Sequence, residues 1–249
     1  MQRAMGAGIP FKGAVKILII TNAVIWLGFQ VILGKLILGQ EGMITQVLGL
    51  IPGLVIGKGW VWQIFTYQFL HAIDPFHILF NMLILWWFGS ELEQRWGTKF
   101  FVKYYLACGV GAGIIYVIGY TIWGLLTGNI SHLISPVVGA SGAVFGLLMA
   151  YGILFGERVI YFMMVFPMKA KVFIWLIAGL ELLFMLTGTQ AGVANLAHLG
   201  GFATGFIILS FIARQRQKGK RPRNKQGGPK LKLVVDNDKP DDDGPKYWN

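Results

Sequence analysis

Long stretches of apolar residues alternate with short polar segments along most of this 249-residue chain. Six of these stretches predict helices, and the polar segments between them predict loops. The longest stretches exceed the ~20 residues that a helix needs to cross a bilayer. The pattern therefore predicts an all-α, polytopic membrane protein with six transmembrane helices. These helices are expected at residues 14–38, 75–90, 100–126, 140–155, 172–186 and 196–213.

The remaining segments divide the chain into three parts. Residues 1–13 are a short amino-terminal segment, residues 14–213 hold the six helices, and residues 214–249 are polar, charged and punctuated by Gly and Pro. The last composition predicts a disordered cytoplasmic tail. No small-residue cleavage site follows a signal-length apolar stretch, so we expect the first run to be retained as a helix.

A seventh apolar segment, residues 43–57, lies in the long loop after the first helix. Pro52 and three glycines interrupt it, and it is shorter than a crossing requires. A crossing here would also reverse every later helix. We therefore expect a loop packed on or into the outer leaflet, with Trp60 and Trp62 anchored at the interface.

Basic residues are concentrated on one side of the predicted membrane. The chain is 55% hydrophobic and 13% charged, with 22 Lys and Arg against 11 Asp and Glu and a net charge of +11. With six crossings, all basic residues except Lys35 and Lys58 fall on the same side of the membrane as the two termini. This positive-inside pattern predicts both termini in the cytoplasm and a multi-pass protein of the inner or plasma membrane. The membrane topology therefore explains the excess of basic residues, and we expect no binding of nucleic acid.

The predicted topology brings polar side chains from three helices to one depth. The second, fourth and sixth helices run in the same direction, so their amino ends share the outer face. His77 and Asn81 lie in the first two turns of the second helix, Ser141 begins the fourth and His198 begins the sixth. Ionisable residues are costly inside a bilayer and usually functional. We therefore expect these four residues to form one site.

Glycines supply the packing that such a site needs. Two small-xxx-small strips, one on the fourth helix and one on the sixth, would let these helices approach closely. A further glycine stands at the start of the fourth helix. The close approach would bring Ser141 within reach of His198. These glycines are Gly139, Gly142, Gly146, Gly201 and Gly205.

The four polar residues suit nucleophilic catalysis. A serine hydroxyl is a weak nucleophile unless a base accepts its proton, and histidine is suited to that work. The backbone N–H groups at a helix amino terminus can stabilise an oxyanion, and His77 and Asn81 could add donors. No carboxylate is expected beside the histidine, because Glu181 lies in the fifth helix. The residues therefore predict a dyad of Ser141 and His198.

Four short motifs occur in order along the chain. They are His-Ile-Leu-Phe-Asn at 77–81, Glu-Gln-Arg at 93–95, Gly-Ala-Ser-Gly at 139–142 and Ala-His-Leu-Gly-Gly at 197–201. Together they resemble the motifs of the rhomboid family of intramembrane serine proteases, over nearly all of residues 14–213. The resemblance implies Ser141 as nucleophile, His198 as general base, and His77, Asn81 and the backbone at Ser141 as the oxyanion site.

Two positions depart from the family pattern. Gln63 follows Trp62 where many members have arginine, which affects how the first loop is anchored. Phe145 stands one turn after Ser141, where members often have a tyrosine that stacks on the base. The aromatic ring is kept and its hydroxyl is not.

The resemblance also implies the substrates and the route by which they arrive. Single-span membrane proteins would be cut in or near their transmembrane segments, at small residues with helix-breaking residues nearby. We expect the fifth helix and the outer loop to part sideways and admit the substrate. No cofactor or metal is implied, and the oligomeric state is left open.

Two other classes of protein are compatible with an apolar helical bundle. A non-catalytic rhomboid-like protein would bind membrane clients for quality control, but such proteins usually lack the serine or the histidine. A channel or transporter would be expected to show repeats or further intramembrane charges. The sequence contains no HExxH motif, and Asp74 is its only aspartate before residue 236, which disfavours a membrane zinc protease and a two-aspartate protease.

Three further ionisable residues are expected to be mainly structural. His71 and His132 fall in external loops. Glu181 is expected to make a polar packing contact within the fifth helix, with a gate or substrate-facing role as the alternative.

Overall fold

The computed structural model describes residues 9–39, 41–162, 165–188 and 195–219. These residues are mostly helical, as the sequence predicts. Two of the helices continue as π-helix, at Ile25–Ile37 and Leu85–Gly89. The α-helices in chain order are α1 Gly13–Val24, α2 Glu41–Leu48, α3 Pro52–Lys58, α4 Gln63–Thr66, α5 Pro75–Ile84, α6 Ser90–Trp96, α7 Thr98–Thr127, α8 Ser131–Ile134, α9 Ser141–Phe155, α10 Ala170–Thr187 and α11 Asn195–Gly219.

The surface of the bundle fits a lipid environment. Large apolar side chains point outward, and Leu125 and Leu186 are 82% and 74% exposed. The protein is therefore an all-α, polytopic membrane protein, while the count of six spans stays a prediction. Four helices of the described residues are long and apolar enough to cross a membrane: Gly13–Ile37, Thr98–Thr127, Ala170–Thr187 and Asn195–Gln217.

The apolar helix α9 lies at the centre of the bundle. Most of its residues from Gly142 to Tyr151 are buried. The helices α7 and α10 and the π-helical segment Leu85–Gly89 pack around it. Small side chains at four of the first six positions permit this crowding. Ser141, the first residue of α9, is consequently carried by the most enclosed helix.

The second predicted helix begins as expected and ends later than expected. The Asp74 carboxylate accepts the N–H of Phe76 at 3.1 Å, and Pro75 is the first helical residue. The helix was predicted to end near residue 90. It continues through the π-helical segment Leu85–Gly89 into α6 and ends at Trp96.

The loop after the first helix is more ordered than predicted. Residues 43–57 contribute to the two short helices α2 and α3, and Pro52 begins α3 instead of interrupting a helix. The buried Gln63 side chain holds this region together. Its Oε1 accepts the N–H of Ile51 at 3.0 Å, and its Nε2 donates to the carbonyl of Gln46 at 2.8 Å. The amide thus anchors the first loop without the charge of an arginine.

Residues 156–171 contain a β-hairpin that the helical pattern does not predict. The strands β1 Val159–Phe162 and β2 Phe166–Lys169 pair antiparallel. The β-branched and aromatic residues of β1 favour the extended backbone. The Glu157 carboxylate accepts hydrogen bonds from Lys169 and Lys171, which lower its pKa to about 2. This charged hairpin marks the end of α9.

The last helix is longer than predicted. It was expected to end at residue 213, and α11 extends to Gly219. The first residues of the predicted tail are therefore helical. Residues 220–249 lie outside the described part of the chain, so their predicted disorder stays a prediction.

The carboxylate of Glu93 caps the amino end of α1. Its Oε1 accepts the N–H of Ala14 at 2.8 Å and its Oε2 accepts the N–H of Val15 at 3.0 Å. The hydroxyl of Thr98 donates to Oε1 at 2.7 Å. Glu93 is buried, so these donors would lose their partner if the carboxylate were removed.

We expect Glu93→Ala to lower the free energy of unfolding by about 3 kcal/mol, because buried donors to a charged acceptor are left unpaired. Unfolding of the purified protein in detergent measures the loss. The exposed neighbour Gln94 provides the control, since its side chain donates to the carbonyl of Ser90 on its own helix. A Glu93→Ala protein as stable as Gln94→Ala would contradict the capping role.

Candidate active site

A sharp turn places Ser141 at the start of α9. Gly139 has a φ of 136°, which favours glycine, and its N–H donates to the carbonyl of Tyr67 at 3.0 Å. The first helical hydrogen bond runs from the N–H of Val144 to the carbonyl of Ala140 at 3.0 Å. The first N–H groups of α9 therefore have no acceptor within the helix. They lie around Ser141.

The hydroxyl of Ser141 meets the imidazole of His198. Ser141 Oγ lies 2.9 Å from His198 Nε2. His198 is in the first turn of α11, and its side chain is 13% exposed. At this distance Nε2 can accept the hydroxyl proton. The fold thus brings two residues that are 57 positions apart in the chain within hydrogen-bond distance.

The glycine strips of α9 and α11 face each other at this point. A β-carbon added to Gly201 would overlap the carbonyl oxygen of Gly142, and one added to Gly205 would lie 3.0 Å from the carbonyl oxygen of Gly146. Larger side chains would push the helices apart. The contact between Ser141 and His198 therefore depends on these small residues.

An aromatic ring holds the imidazole from one side. The ring of Phe145 stacks on His198 with a centroid distance of 4.3 Å and an interplanar angle of 9°. Phe202 packs against the edge of Phe145 at 5.0 Å. This stack restricts the rotation of the imidazole and directs Nε2 towards Ser141.

His77 offers a hydrogen-bond donor beside Ser141. Its Nδ1 accepts the N–H of Ala72 at 3.0 Å, so the neutral ring carries its hydrogen on Nε2. A β-carbon added to Gly139 would lie 3.1 Å from His77 Nε2 and 3.4 Å from Ser141 Oγ. Both atoms therefore border one small space, which only a glycine leaves open. An oxygen placed there would receive the Nε2 hydrogen.

Asn81 lies one turn beyond His77 and is attached to its own helix. Its Nδ2 donates to the carbonyl of His77 at 2.8 Å, and the side chain is buried. Among the hydrogen bonds of the described residues, none joins Asn81 to Ser141 or His198. The structure thus gathers three of the four predicted residues and leaves Asn81 further along α5.

Glu181 reaches the imidazole from the opposite side. Its Oε2 lies 3.0 Å from Nδ1 of His198 and accepts a hydrogen bond from Nδ2 of Asn195 at 2.7 Å. The expectation that no carboxylate lies beside the histidine is therefore wrong. A signal was present in the sequence, because Glu181 is an ionisable residue within an apolar helix. Asn195 gave a weaker signal, three residues before His198 on the same face of α11.

The two remaining histidines have different environments. His71 is fully buried, and its backbone is held by Gln30, whose amide donates to the His71 carbonyl at 2.6 Å and accepts the His71 N–H at 2.8 Å. Burial, and then the nearby His77, lowers the pKa of His71 to about 3. His132 is partly exposed and stacks on Tyr120 at 4.0 Å. The bonds between Gln30 and the His71 backbone therefore hold the segment in which the next residue, Ala72, donates its N–H to His77.

The low pKa of His71 predicts that the folded protein becomes less stable as the pH is lowered. An unfolded histidine binds its proton near pH 6.5, whereas the folded one does so near pH 3, so the unfolded state gains the proton first. The loss begins below about pH 6.5 and reaches about 2 kcal/mol at pH 5. Melting in detergent between pH 7 and 5 measures it. In His71→Leu the melting temperature should depend much less on pH, whereas His132→Leu should keep most of the pH dependence. If His71→Leu and the unchanged protein lost the same stability between pH 7 and 5, His71 would not be its source.

The fold and the site define a polytopic helical membrane protein with a serine and a histidine paired at helix ends. The rhomboid domain model matches residues 58–215, a range that holds both residues and the other predicted site positions. The match covers more than half of the chain. The protein therefore belongs to the rhomboid family.

Named relatives come from plants and bacteria. RHOMBOID-like protein 1 of Arabidopsis thaliana is 32% identical over 207 residues, covering 80% of this chain and 47% of the relative. The putative rhomboid protease YdcA of Bacillus subtilis is 29% identical over 203 residues, covering 79% of this chain and 86% of the relative. The rhomboid protease GlpG of Klebsiella pneumoniae is 33% identical over 156 residues, covering 61% and 48%. This chain spans about half the length of the Arabidopsis relatives that it matches.

Proposed function

We propose that this protein is an intramembrane serine endopeptidase that cleaves single-span membrane proteins in or near their transmembrane segments. The observation that carries the proposal is the 2.9 Å distance between Ser141 Oγ and His198 Nε2. Ser141 is the nucleophile and His198 is its general base. The Klebsiella pneumoniae relative is named a rhomboid protease and the Bacillus subtilis relative a putative rhomboid protease, which supports the same activity.

The pair would cleave a peptide bond in two steps. Ser141 Oγ bonds to the carbonyl carbon of the substrate while its proton passes to His198 Nε2. The C–N bond then breaks, and Nε2 gives the proton to the leaving amine. In the second step a water attacks the resulting ester and leaves its proton on Nε2. The ester bond breaks, and this proton restores the Ser141 hydroxyl.

The carbonyl oxygen of the substrate carries negative charge in each step. The free N–H groups at the start of α9 and the Nε2 hydrogen of His77 are the donors that would stabilise it. The space beside Gly139 lies close to both His77 Nε2 and Ser141 Oγ, which suits an oxyanion. The family resemblance assigns Asn81 to the oxyanion site as well. One hydrogen of its Nδ2 bonds the carbonyl of His77, and the second hydrogen would be the donor to the oxyanion.

The length of α9 supports a reaction below the membrane surface. Fifteen residues extend about 22 Å, whereas the hydrocarbon core is about 30 Å thick. The inner end of α9 leads directly to the charged residues Glu157 and Arg158, which belong at the interface. Ser141 would then lie about 8 Å inside the outer boundary, where water from the outer side can reach it.

The packing of α10 supports lateral access for a substrate helix. Of its 18 residues only Ala170 and Ile174 are buried, and both lie near its inner end. Its outer half can therefore move at little cost in packing. We assign both termini to the cytoplasm and the protein to the inner or plasma membrane, with transmembrane proteins and the bilayer as partners.

A cleavage assay tests the proposal against its rivals. The detergent-purified protein is incubated with a single-span test substrate tagged at both ends, with and without prior treatment by a serine-reactive fluorophosphonate. We expect two fragments from the untreated protein and none after treatment. Stable binding of intact substrate without cleavage would overturn the proposal in favour of a client-binding protein. A protein that neither binds nor cleaves the substrate would also overturn the proposal.

A further inference from the structure

A second polar contact of His198 lies on the side of the ring that faces away from Ser141. Glu181 Oε2 is 3.0 Å from Nδ1, and both side chains are 13% exposed. The approach is not aligned as a hydrogen bond, and Nδ1 is buried without another partner among the described residues. A buried ring nitrogen and a carboxylate therefore face each other within ion-pair distance.

The same carboxylate oxygen is held in place by α11. Asn195 Nδ2 donates to Glu181 Oε2 at 2.7 Å, and Asn195 is buried. Asn195 and His198 are one turn apart on α11, whereas Glu181 belongs to α10. Asn195 thus fixes the oxygen that approaches the imidazole, and the contact exists only while α10 lies against α11.

The proposed chemistry needs an acceptor at this position. Because Nε2 accepts the proton of Ser141, Nδ1 carries the other ring hydrogen. The ring is positively charged once the proton has been transferred, in surroundings where opposite charges interact strongly. A carboxylate 3.0 Å from Nδ1 would stabilise that charge and favour the required tautomer.

We propose that Glu181 is a positioning residue for His198, held by Asn195, that orients the imidazole and stabilises its charged form. The inference rests on the proposed function, because it assumes that His198 is the base for Ser141. No proton passes to Glu181. This contact would couple substrate entry to catalysis. Outward movement of α10, which admits a substrate helix, would also withdraw the Glu181 carboxylate from His198.

Glu181→Gln in the full-length protein tests the role. The measurements are the rate at which a fluorophosphonate labels Ser141, and kcat and KM for the single-span substrate. We expect labelling and kcat to fall together by about tenfold with KM changed less than twofold. The loss stays far below the ~10⁴-fold cost of altering an aligned triad carboxylate, since the contact is not an aligned hydrogen bond. Asn195→Ala should act in the same direction, and the double variant should be no slower than the slower single one.

Control variants separate this role from packing. Leu182→Gln adds the same polar group at the next position, where the side chain is 45% exposed, and should label at the rate of the unchanged protein. If Glu181→Gln does not fold, Glu181→Asp shortens the carboxylate instead and should slow labelling as well. Labelling of a folded Glu181 variant at the unchanged rate would overturn the inference alone. Labelling that persists in Ser141→Ala would overturn the proposed function instead.

Discussion

Ser141→Ala is expected to lower the rate of substrate cleavage by about 10⁴-fold or more, because no other group at the site can form the acyl intermediate. The variant should fold normally, since alanine is smaller and suits the start of α9. Ser135 provides the matched control. It directly follows α8 and donates to the carbonyl of Ser131, so Ser135→Ala should cleave at the unchanged rate.

His198→Ala is expected to cost about as much, and the double variant should be no slower than either single one. Residues that act as a unit show this non-additivity, because the serine is inactive without its base. Cleavage is measured with the single-span substrate at saturating concentration. Substantial activity in Ser141→Ala, or losses that multiply in the double variant, would contradict a shared mechanism.

Replacing His77 by phenylalanine is expected to lower kcat by about 10²-fold, as removal of one oxyanion donor does. Phenylalanine keeps the aromatic ring and removes the Nε2 hydrogen beside Gly139. KM should change little, because the donor acts mainly when negative charge develops. Asn81→Ala should cost less, since its amide already bonds the carbonyl of His77.

His132 is the matched control for this prediction. Its ring stacks on Tyr120 of α7, so His132→Phe should keep kcat unchanged. Folding of each variant is checked by its melting temperature. A folded His77→Phe protein with full kcat would remove His77 from the oxyanion site.

The helices were predictable because their physical signals are local. Each apolar stretch is delimited by polar residues, and the Asp74-Pro75 pair marks the start of α5. The hairpin at 159–169 was missed because its residues are few and also suit a membrane interface. The π-helical segments were missed because the spacing of apolar residues does not distinguish them from α-helix.

The candidate site was predictable where topology and small residues determine it. The shared direction of three helices places their amino ends together, and the glycines of α9 and α11 indicate the surfaces that touch. Glu181 was visible as an ionisable residue in α10, but the residues around it are apolar on every side of the helix, so the sequence does not show which face meets α11. The tertiary contact between Glu181 and His198 is therefore visible only in the structure.

The most direct test of the account is the position of a covalent fluorophosphonate adduct, mapped by mass spectrometry of the protein in detergent. We expect a single adduct on the Oγ of Ser141, formed much more slowly in His198→Ala. An adduct on another serine, with Ser141 unmodified in a protein that cleaves its substrate, would contradict it.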